Sequence, residues 1–153
     1  MVTLKKRFYL SALAPVLASV AVFTLTMPGF SAAAELTITV NDLSSTLGDV
    51  HIALYDDAQR FPNSEGIVDE IKLPITASKI IAIFTDLAPG RYAIAAYHDE
   101  NSNHEFDQGL FGIPMEDYAF SNNTRNFLTP PSFDESAFTV PIEGSHQKIS
   151  FGN

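Results

Sequence analysis

The chain has 153 residues, 9 of them Lys or Arg against 18 Asp or Glu, and no cysteine. The missing cysteine excludes a disulfide framework, thiol catalysis and a cysteine-linked lipid anchor. The formal net charge of −9 argues against nucleic acid as a partner, because phosphates demand basic patches, and suits divalent cations or basic partners.

Residues 1–34 read as a secretory signal peptide. Lys5, Lys6 and Arg7 make the positive start, residues 8–27 form an almost uncharged apolar run, and Ala32-Ala33-Ala34 offers small residues for cleavage. An uncleaved anchor is the alternative, since about 20 apolar residues can cross a bilayer. Pro15, Pro28-Gly29 and the Ala triplet favour cleavage. The positive flank stays inside, so a periplasmic or secreted protein of bacterial type is expected, without stable membrane insertion after cleavage. Residues 35–153, about 119 in number, then form one domain. Losing the three basic residues of the leader takes the net charge from −9 to −12.

Residues 35–41 (ELTITVN) alternate Leu36, Ile38 and Val40 with polar positions, the mark of a half-buried strand. After a turn at residues 43–46, residues 48–55 (GDVHIALY) alternate again, with Val50, Ile52 and Leu54 on one face and His51 and Tyr55 on the other. Residues 56–69 carry Pro62, Asn63 and Gly66 and read as a loop. Ile71, Leu73 and Ile75 make a short alternating run, and residues 80–85 (IIAIFT) a central strand. Leu87-Ala88-Pro89-Gly90 is a turn. Residues 91–98 (RYAIAAYH) follow as a strand, in which Tyr92 is placed to fold back and bond upstream backbone.

No strand pattern is clear over residues 99–135. Phe106, Phe111, Tyr118, Phe120, Phe127 and Phe133 are too many aromatics for a disordered tail, and the expectation is a long ordered loop pinned to the domain by its rings. Ser132 and Glu135 have the spacing of a capping box around one helical turn. Residues 137–142 and 147–151 read as closing strands. The sum is an all-β, Ig-like or prealbumin-like Greek-key sandwich of about seven strands.

One stretch carries recognisable chemistry. In residues 98–107 (HDENSNHEFD), Asp99, Asn101, Asn103 and Asp107 fall at positions 1, 3, 5 and 9 of a calcium-type loop, and Glu105 at position 7 offers its carbonyl. Hard oxygen donors point to Ca²⁺. His104 stands at the sharp turn where Gly is usual, and Leu110 at position 12 where a bidentate Glu belongs; Glu116 or Asp117 could replace it. The competing reading is an Asx-rich turn whose side chains bond their own backbone. His98 and His104 beside acidic neighbours suggest Zn²⁺ only if His51 or His146 joins them through the fold. Carboxylate pairs such as Asp99 with Asp107, or Glu116 with Asp117, are too common in an acidic chain to imply glycoside hydrolysis. Ser121 lacks a nucleophile elbow. Asn122-Asn123-Thr124 matches a glycosylation sequon but follows a bacterial-style leader.

Leu87-Ala88-Pro89-Gly90-Arg91-Tyr92-Ala93, Tyr97-His98-Asp99-Glu100-Asn101 through Asp107, Phe111-Gly112-Ile113-Pro114, Glu116, Tyr118 to Asn122 and Pro130-Pro131-Ser132-Phe133 resemble the exported bacterial domain-of-unknown-function family 2141, over essentially the whole mature chain. The chain departs from the family's pattern at His104 and Ala119, where Gly is usual. The resemblance implies an exported β-sandwich and carries no established activity, so no catalytic residue transfers. The loop alone also resembles the calcium loops of collagen-adhesin B-type repeats. The expectation is therefore a non-enzymatic module that binds Ca²⁺ at Asp99, Asn101, Asn103, Glu105 and Asp107. It would present an aromatic-rich loop to an envelope or extracellular ligand. The rivals are a carbohydrate-active envelope enzyme and a purely structural envelope protein.

Overall fold

A computed structural model describes residues 33–126 and 129–151. The expected leader lies outside these residues up to position 32, and so does Phe127. Eight strands and one helical turn follow in order: β1 (Ala34–Asn41), β2 (Asp49–Tyr55), β3 (Ile67–Pro74), β4 (Ile80–Leu87), β5 (Gly90–Asp99), β6 (Tyr118–Phe120), α1 (Phe133–Ser136), β7 (Phe138–Val140) and β8 (Ser145–Ser150). The protein is all-β, and its strands lie in two sheets. One has the order β4-β1-β8, with β1 antiparallel to β4 and parallel to β8. The other has the order β3-β2-β5-β6, and β7 pairs with the first residues of β5.

Alternation decides which side chains meet between the sheets. Successive residues of a strand point to opposite faces, so Leu36, Ile38 and Val40 of β1 face Val50, Ile52 and Leu54 of β2, and all six are fully buried. Ala82 and Phe84 of β4, Ile94 and Ala96 of β5, Val140 of β7 and Ile149 of β8 complete this core. Each large apolar side chain so buried contributes roughly 1.5–3 kcal/mol. The Tyr92 hydroxyl donates to the Ala88 carbonyl at 2.7 Å and closes the corner before β5, as its position after the turn implied.

The opposite face of the five-stranded sheet is covered as well. Tyr55, Phe61, Ala93, Phe120 and Phe133 form a second buried cluster there. The rings that build it come from β2, from the 56–66 loop and from the long excursion over residues 99–135. Ser132 accepts the Glu135 N–H while the Glu135 carboxylate accepts the Ser132 N–H, the expected capping box, and this single turn seats Phe133.

Several expectations are corrected, and residues 80–85, expected as a central strand, lie in the edge strand β4. β3 begins at Ile67 and not near Ile71; it is an edge strand in which Val68, Asp69 and Glu70 are all exposed, without the alternation that betrays burial. The excursion contains a strand, β6, whose three residues are too few to show a period. Phe111 does not pin the excursion, because it is 91% exposed. Ala34, taken above as the last residue of the leader, opens β1, pairs with Leu87 and is buried. No helix among the described residues is long and apolar enough to cross a membrane.

Gly48 fixes the approach of the β1–β2 connection to the end of β5. It holds φ +73°, and a Cβ there would lie 1.9 Å from the Asp99 carbonyl oxygen. Gly48→Ala is expected to cost well over about 1 kcal/mol in urea unfolding, from the positive φ and the backbone collision together. An unchanged midpoint would show that the two segments are free to separate.

Candidate functional site

The site grows from the C-terminal end of β5. On this strand Tyr92, Ile94, Ala96 and His98 share one face, and Ala93, Ala95, Tyr97 and Asp99 share the other. The antiparallel register sets His51 of β2 opposite Tyr97, and Lys72 of β3 opposite His51. Asp99, Tyr97 and His51 therefore meet on the outer face, beneath the excursion.

Asp99 is fully buried, and both of its oxygens accept backbone N–H groups. Oδ1 takes Asn103 N–H at 3.1 Å and Oδ2 takes His104 N–H at 2.7 Å. Burial alone would push this carboxyl up, but the N–H groups of His104 and Asn103, the nearby His51 and the Ser102 N–H together hold it below the usual carboxylate range. Asn101 Oδ1 accepts Asn103 N–H at 2.9 Å, and Asn103 Oδ1 accepts Glu105 N–H at 2.8 Å. The amide groups of Asn101 and Asn103 donate to Asp107 at 2.7 and 3.1 Å.

Four of the five residues expected to bind Ca²⁺, namely Asp99, Asn101, Asn103 and Asp107, thus converge in one small loop. Their oxygens are engaged by N–H donors, the pattern of a nested Asx turn. Glu105 enters only through its N–H. Glu116 does return to the loop, as the missing twelfth position suggested: one of its oxygens accepts Asp107 N–H at 3.0 Å, and the other is buried without a hydrogen bond. Burial pushes the Glu116 carboxyl up, and the neighbouring charges of Asp99 and Asp107 add to that rise.

The histidines divide by face. His98 points to the other side of the sheet from Asp99, where its Nε2–H donates to the Leu47 carbonyl at 2.8 Å and its Nδ1 meets the Ser44 hydroxyl at 3.3 Å. His146 bonds Thr39 in the other sheet. His51 is the residue that the fold delivers. It is 1% exposed, its Nδ1 lies 2.8 Å from the Tyr97 hydroxyl and 3.4 Å from a Glu70 oxygen, and its ring stacks on Tyr97 at 4.4 Å. Its Nε2 lies 3.4 Å from Asp99 Oδ2, near enough for electrostatic attraction but not aligned for a hydrogen bond, and it has no hydrogen-bond partner. Burial, reinforced by the Lys72 charge, keeps the His51 ring below its ordinary pKa, against the pull of Glu70 and Asp99. His104 Nδ1 approaches the same Asp99 oxygen at 3.7 Å.

From His51 a chain of ring contacts crosses the outer face. Tyr97 meets Phe106 at 5.4 Å, Phe106 meets Tyr118 at 6.1 Å, Tyr118 meets Phe120 at 5.9 Å, and Phe120 meets Phe61 at 5.8 Å. These spacings are those of favourable edge or tilted pairs. Beside them lies a cavity of about 640 Å³, bordered by Tyr55, Tyr97, His104, Phe106, Tyr118 and Phe120 among others. Burial raises the Tyr97 phenol, with the carboxylates of Asp99, Glu70, Glu116 and Glu105 adding to the effect, so it stays neutral. Elsewhere on the excursion Leu110, Phe111, Ile113 and Met115 are each at least 63% exposed.

Sequence reading found the loop but not His51 as a partner of Asp99. The alternation of β2 placed His51 on the face away from the core; the register between β2 and β5, which local pattern does not encode, is what joins it to Asp99.

Together the sandwich and the covered outer face define a small all-β protein with a ring-lined pocket on one sheet. The chain belongs to domain-of-unknown-function family 2141, described as an uncharacterized protein conserved in bacteria, whose pattern matches residues 38–150. No curated protein and no solved structure matches the chain.

Replacing Asp99 by Asn would keep the shape but set an NH₂ group against one of two backbone donors. The expected loss is about 1–3 kcal/mol in chemical denaturation, the usual cost of a buried donor left unpaired. A loss below about 0.5 kcal/mol would mean that water reaches these N–H groups.

Proposed function

We propose that the protein is an exported, non-enzymatic binding module that receives a small ligand with a flat apolar surface between the five-stranded sheet and the 99–135 excursion. The observation that carries this reading is the cavity of about 640 Å³ bordered by five aromatic rings. Ligand pockets are typically a few hundred Å³, mostly apolar, with a few polar groups to orient the occupant; Glu70, Lys72, His104 and Asn126 supply those here. The exposed Leu110, Phe111, Ile113 and Met115 of the excursion support its presentation to an envelope or extracellular partner, because clustered exposed apolar side chains mark contact surfaces. Phe111 holds φ +63°, a conformation that costs a non-glycine residue of order 1–3 kcal/mol and persists where the surroundings enforce it.

Two features support a role without catalysis. Asp99 is buried with both oxygens on backbone N–H groups, which suits it poorly to exchange protons with a substrate. The Ser121 hydroxyl is fully buried, donating to the Ser136 carbonyl at 2.6 Å and accepting the Ile94 N–H at 2.9 Å. Ca²⁺ in the 99–107 loop rests on the spacing of its oxygens. The two imidazoles beside Asp99 favour a softer cation.

The uncharged dye N-phenyl-1-naphthylamine tests the cavity. It is expected to bind the purified protein saturably at one site. Ala95→Phe, which places a ring in the cavity from a half-buried position, should weaken that binding at least about tenfold while the far-ultraviolet circular dichroism is kept. Dye binding that is absent, or indifferent to Ala95→Phe, would overturn the reading.

A further inference from the structure

We infer that His51, Asp99 and His104 form a binding site for a divalent transition-metal ion of the Zn²⁺ type at one end of the cavity. Their donor atoms all lie within 4.8 Å of one another. A tetrahedral ion with bonds of about 2.0–2.1 Å sets its donors roughly 3.3–3.4 Å apart. His51 Nε2 and Asp99 Oδ2 are already 3.4 Å apart, and His104 Nδ1 lies 3.7 Å from the same oxygen. The longer separations involve His104, whose side chain is 58% exposed.

The second observation is the state of His51. A buried ring nitrogen without a partner is rare, because water has been taken from it and nothing has been given back. Here Nε2 is that nitrogen, in a side chain 1% exposed, and it lies 3.4 Å from Asp99 Oδ2. The other nitrogen, Nδ1, has the Tyr97 hydroxyl at 2.8 Å and a Glu70 carboxylate at 3.4 Å. When Nδ1–H donates to either oxygen, the lone pair is on Nε2, facing Asp99. Carboxylate or hydroxyl behind one nitrogen and metal on the other is the arrangement that orients histidine ligands and raises their basicity.

Asp99 keeps capacity for a cation. An ionised carboxylate has about four acceptor directions, and the N–H groups of Asn103, His104 and Ser102 do not fill them all. His104 itself occupies φ +65°, where glycine would sit without cost. The imidazole is what the strained position gains. Two imidazoles and one carboxylate suit Zn²⁺ and its neighbours, not Ca²⁺, which takes six to eight oxygens. Three protein ligands leave a position for water or for a donor atom of a ligand. Because His104, Tyr97 and Glu70 also border the cavity, that position is within reach of its occupant.

The test uses protein purified from the full-length chain, stripped with EDTA and dialysed. Zn²⁺ is titrated by calorimetry, Co²⁺ by its visible ligand-field bands, and Ca²⁺ serves as the hard-cation control. Expected are one Zn²⁺ per chain, a higher melting temperature, intense Co²⁺ bands of four-coordinate type, and no comparable response to Ca²⁺. His104→Gly removes a ligand while suiting the positive φ, so the fold is kept; Zn²⁺ affinity should fall by more than the roughly 10–100-fold that loss of an outer-shell partner costs. His51→Gln should abolish the four-coordinate Co²⁺ spectrum. No saturable Zn²⁺ or Co²⁺ binding, or binding unchanged in His104→Gly, would overturn the site. So would a Ca²⁺-selective response lost in Asp99→Asn and kept in His104→Gly, which would return the loop to the oxygen-only reading. The dye experiment is independent: cavity binding in the absence of metal stands or falls by itself.

Discussion

Asp99 is a carboxylate with 0% exposure at the end of a strand, and a buried charge persists only where hydrogen bonds or an opposite charge replace the water it has lost. Much of the functional face follows from meeting that demand. The chain turns back on itself directly after β5 so that Asn103 and His104 bring their N–H groups to the carboxylate. This turn lifts the excursion off the sheet edge and sends it over the outer face. Gly48 lets the β1–β2 connection pass against the Asp99 backbone and closes the other side. The ring chain from Tyr97 to Phe61 then holds the excursion down along its length. Polar anchoring at one end and aromatic packing along the rest together leave a cavity between sheet and excursion.

How much of this was legible in the sequence depends on whether a feature is local. Strands with one buried face announce themselves by period two: Leu36, Ile38 and Val40, or Val50, Ile52 and Leu54, could be assigned to a core before any partner was known. Turn chemistry was equally local, so the Tyr92 corner and the Ser132–Glu135 box stand where the pattern put them. β3 escaped at its start because Val68, Asp69 and Glu70 are all exposed on an edge, where no burial imposes alternation. β6 escaped because three residues hold less than two periods. The site was half legible for the same reason. Oxygen spacing in the 99–107 loop is written in consecutive residues, whereas the meeting of His51 with Asp99 depends on the register between β2 and β5. A shift of one residue in that pairing would have delivered His98 to this face instead, since strand faces alternate.

The outer face joins two kinds of surface that proteins usually keep apart. Its floor is continuous aromatic packing; its end wall is a charged, hydrogen-bonded loop. Glu70 and Lys72 of the edge strand β3 stand between them, Glu70 behind His51 and Lys72 across from it. An apolar pocket with polar groups at one end orients what enters it, because only one end of a ligand can satisfy the polar groups without leaving them unpaired.

Charge then separates two accounts of the His51–Asp99 pair. If the pair were a structural salt bridge, His51 would have to be protonated in the folded state, and its environment would favour the cation. The environment does the reverse: burial is the dominant influence on the ring, the Lys72 charge acts in the same direction, and the two outweigh Glu70 and Asp99. Burial and Lys72 thus disfavour charge on His51, while backbone donors favour the Asp99 carboxylate. Asp99 is supported by the N–H groups of Asn103 and His104, and the unpartnered Nε2 of His51 lies 3.4 Å from its Oδ2. Buried charges are ordinarily paired or bound to metal. The proposed cation between Nε2 and the carboxylate would satisfy both groups at once.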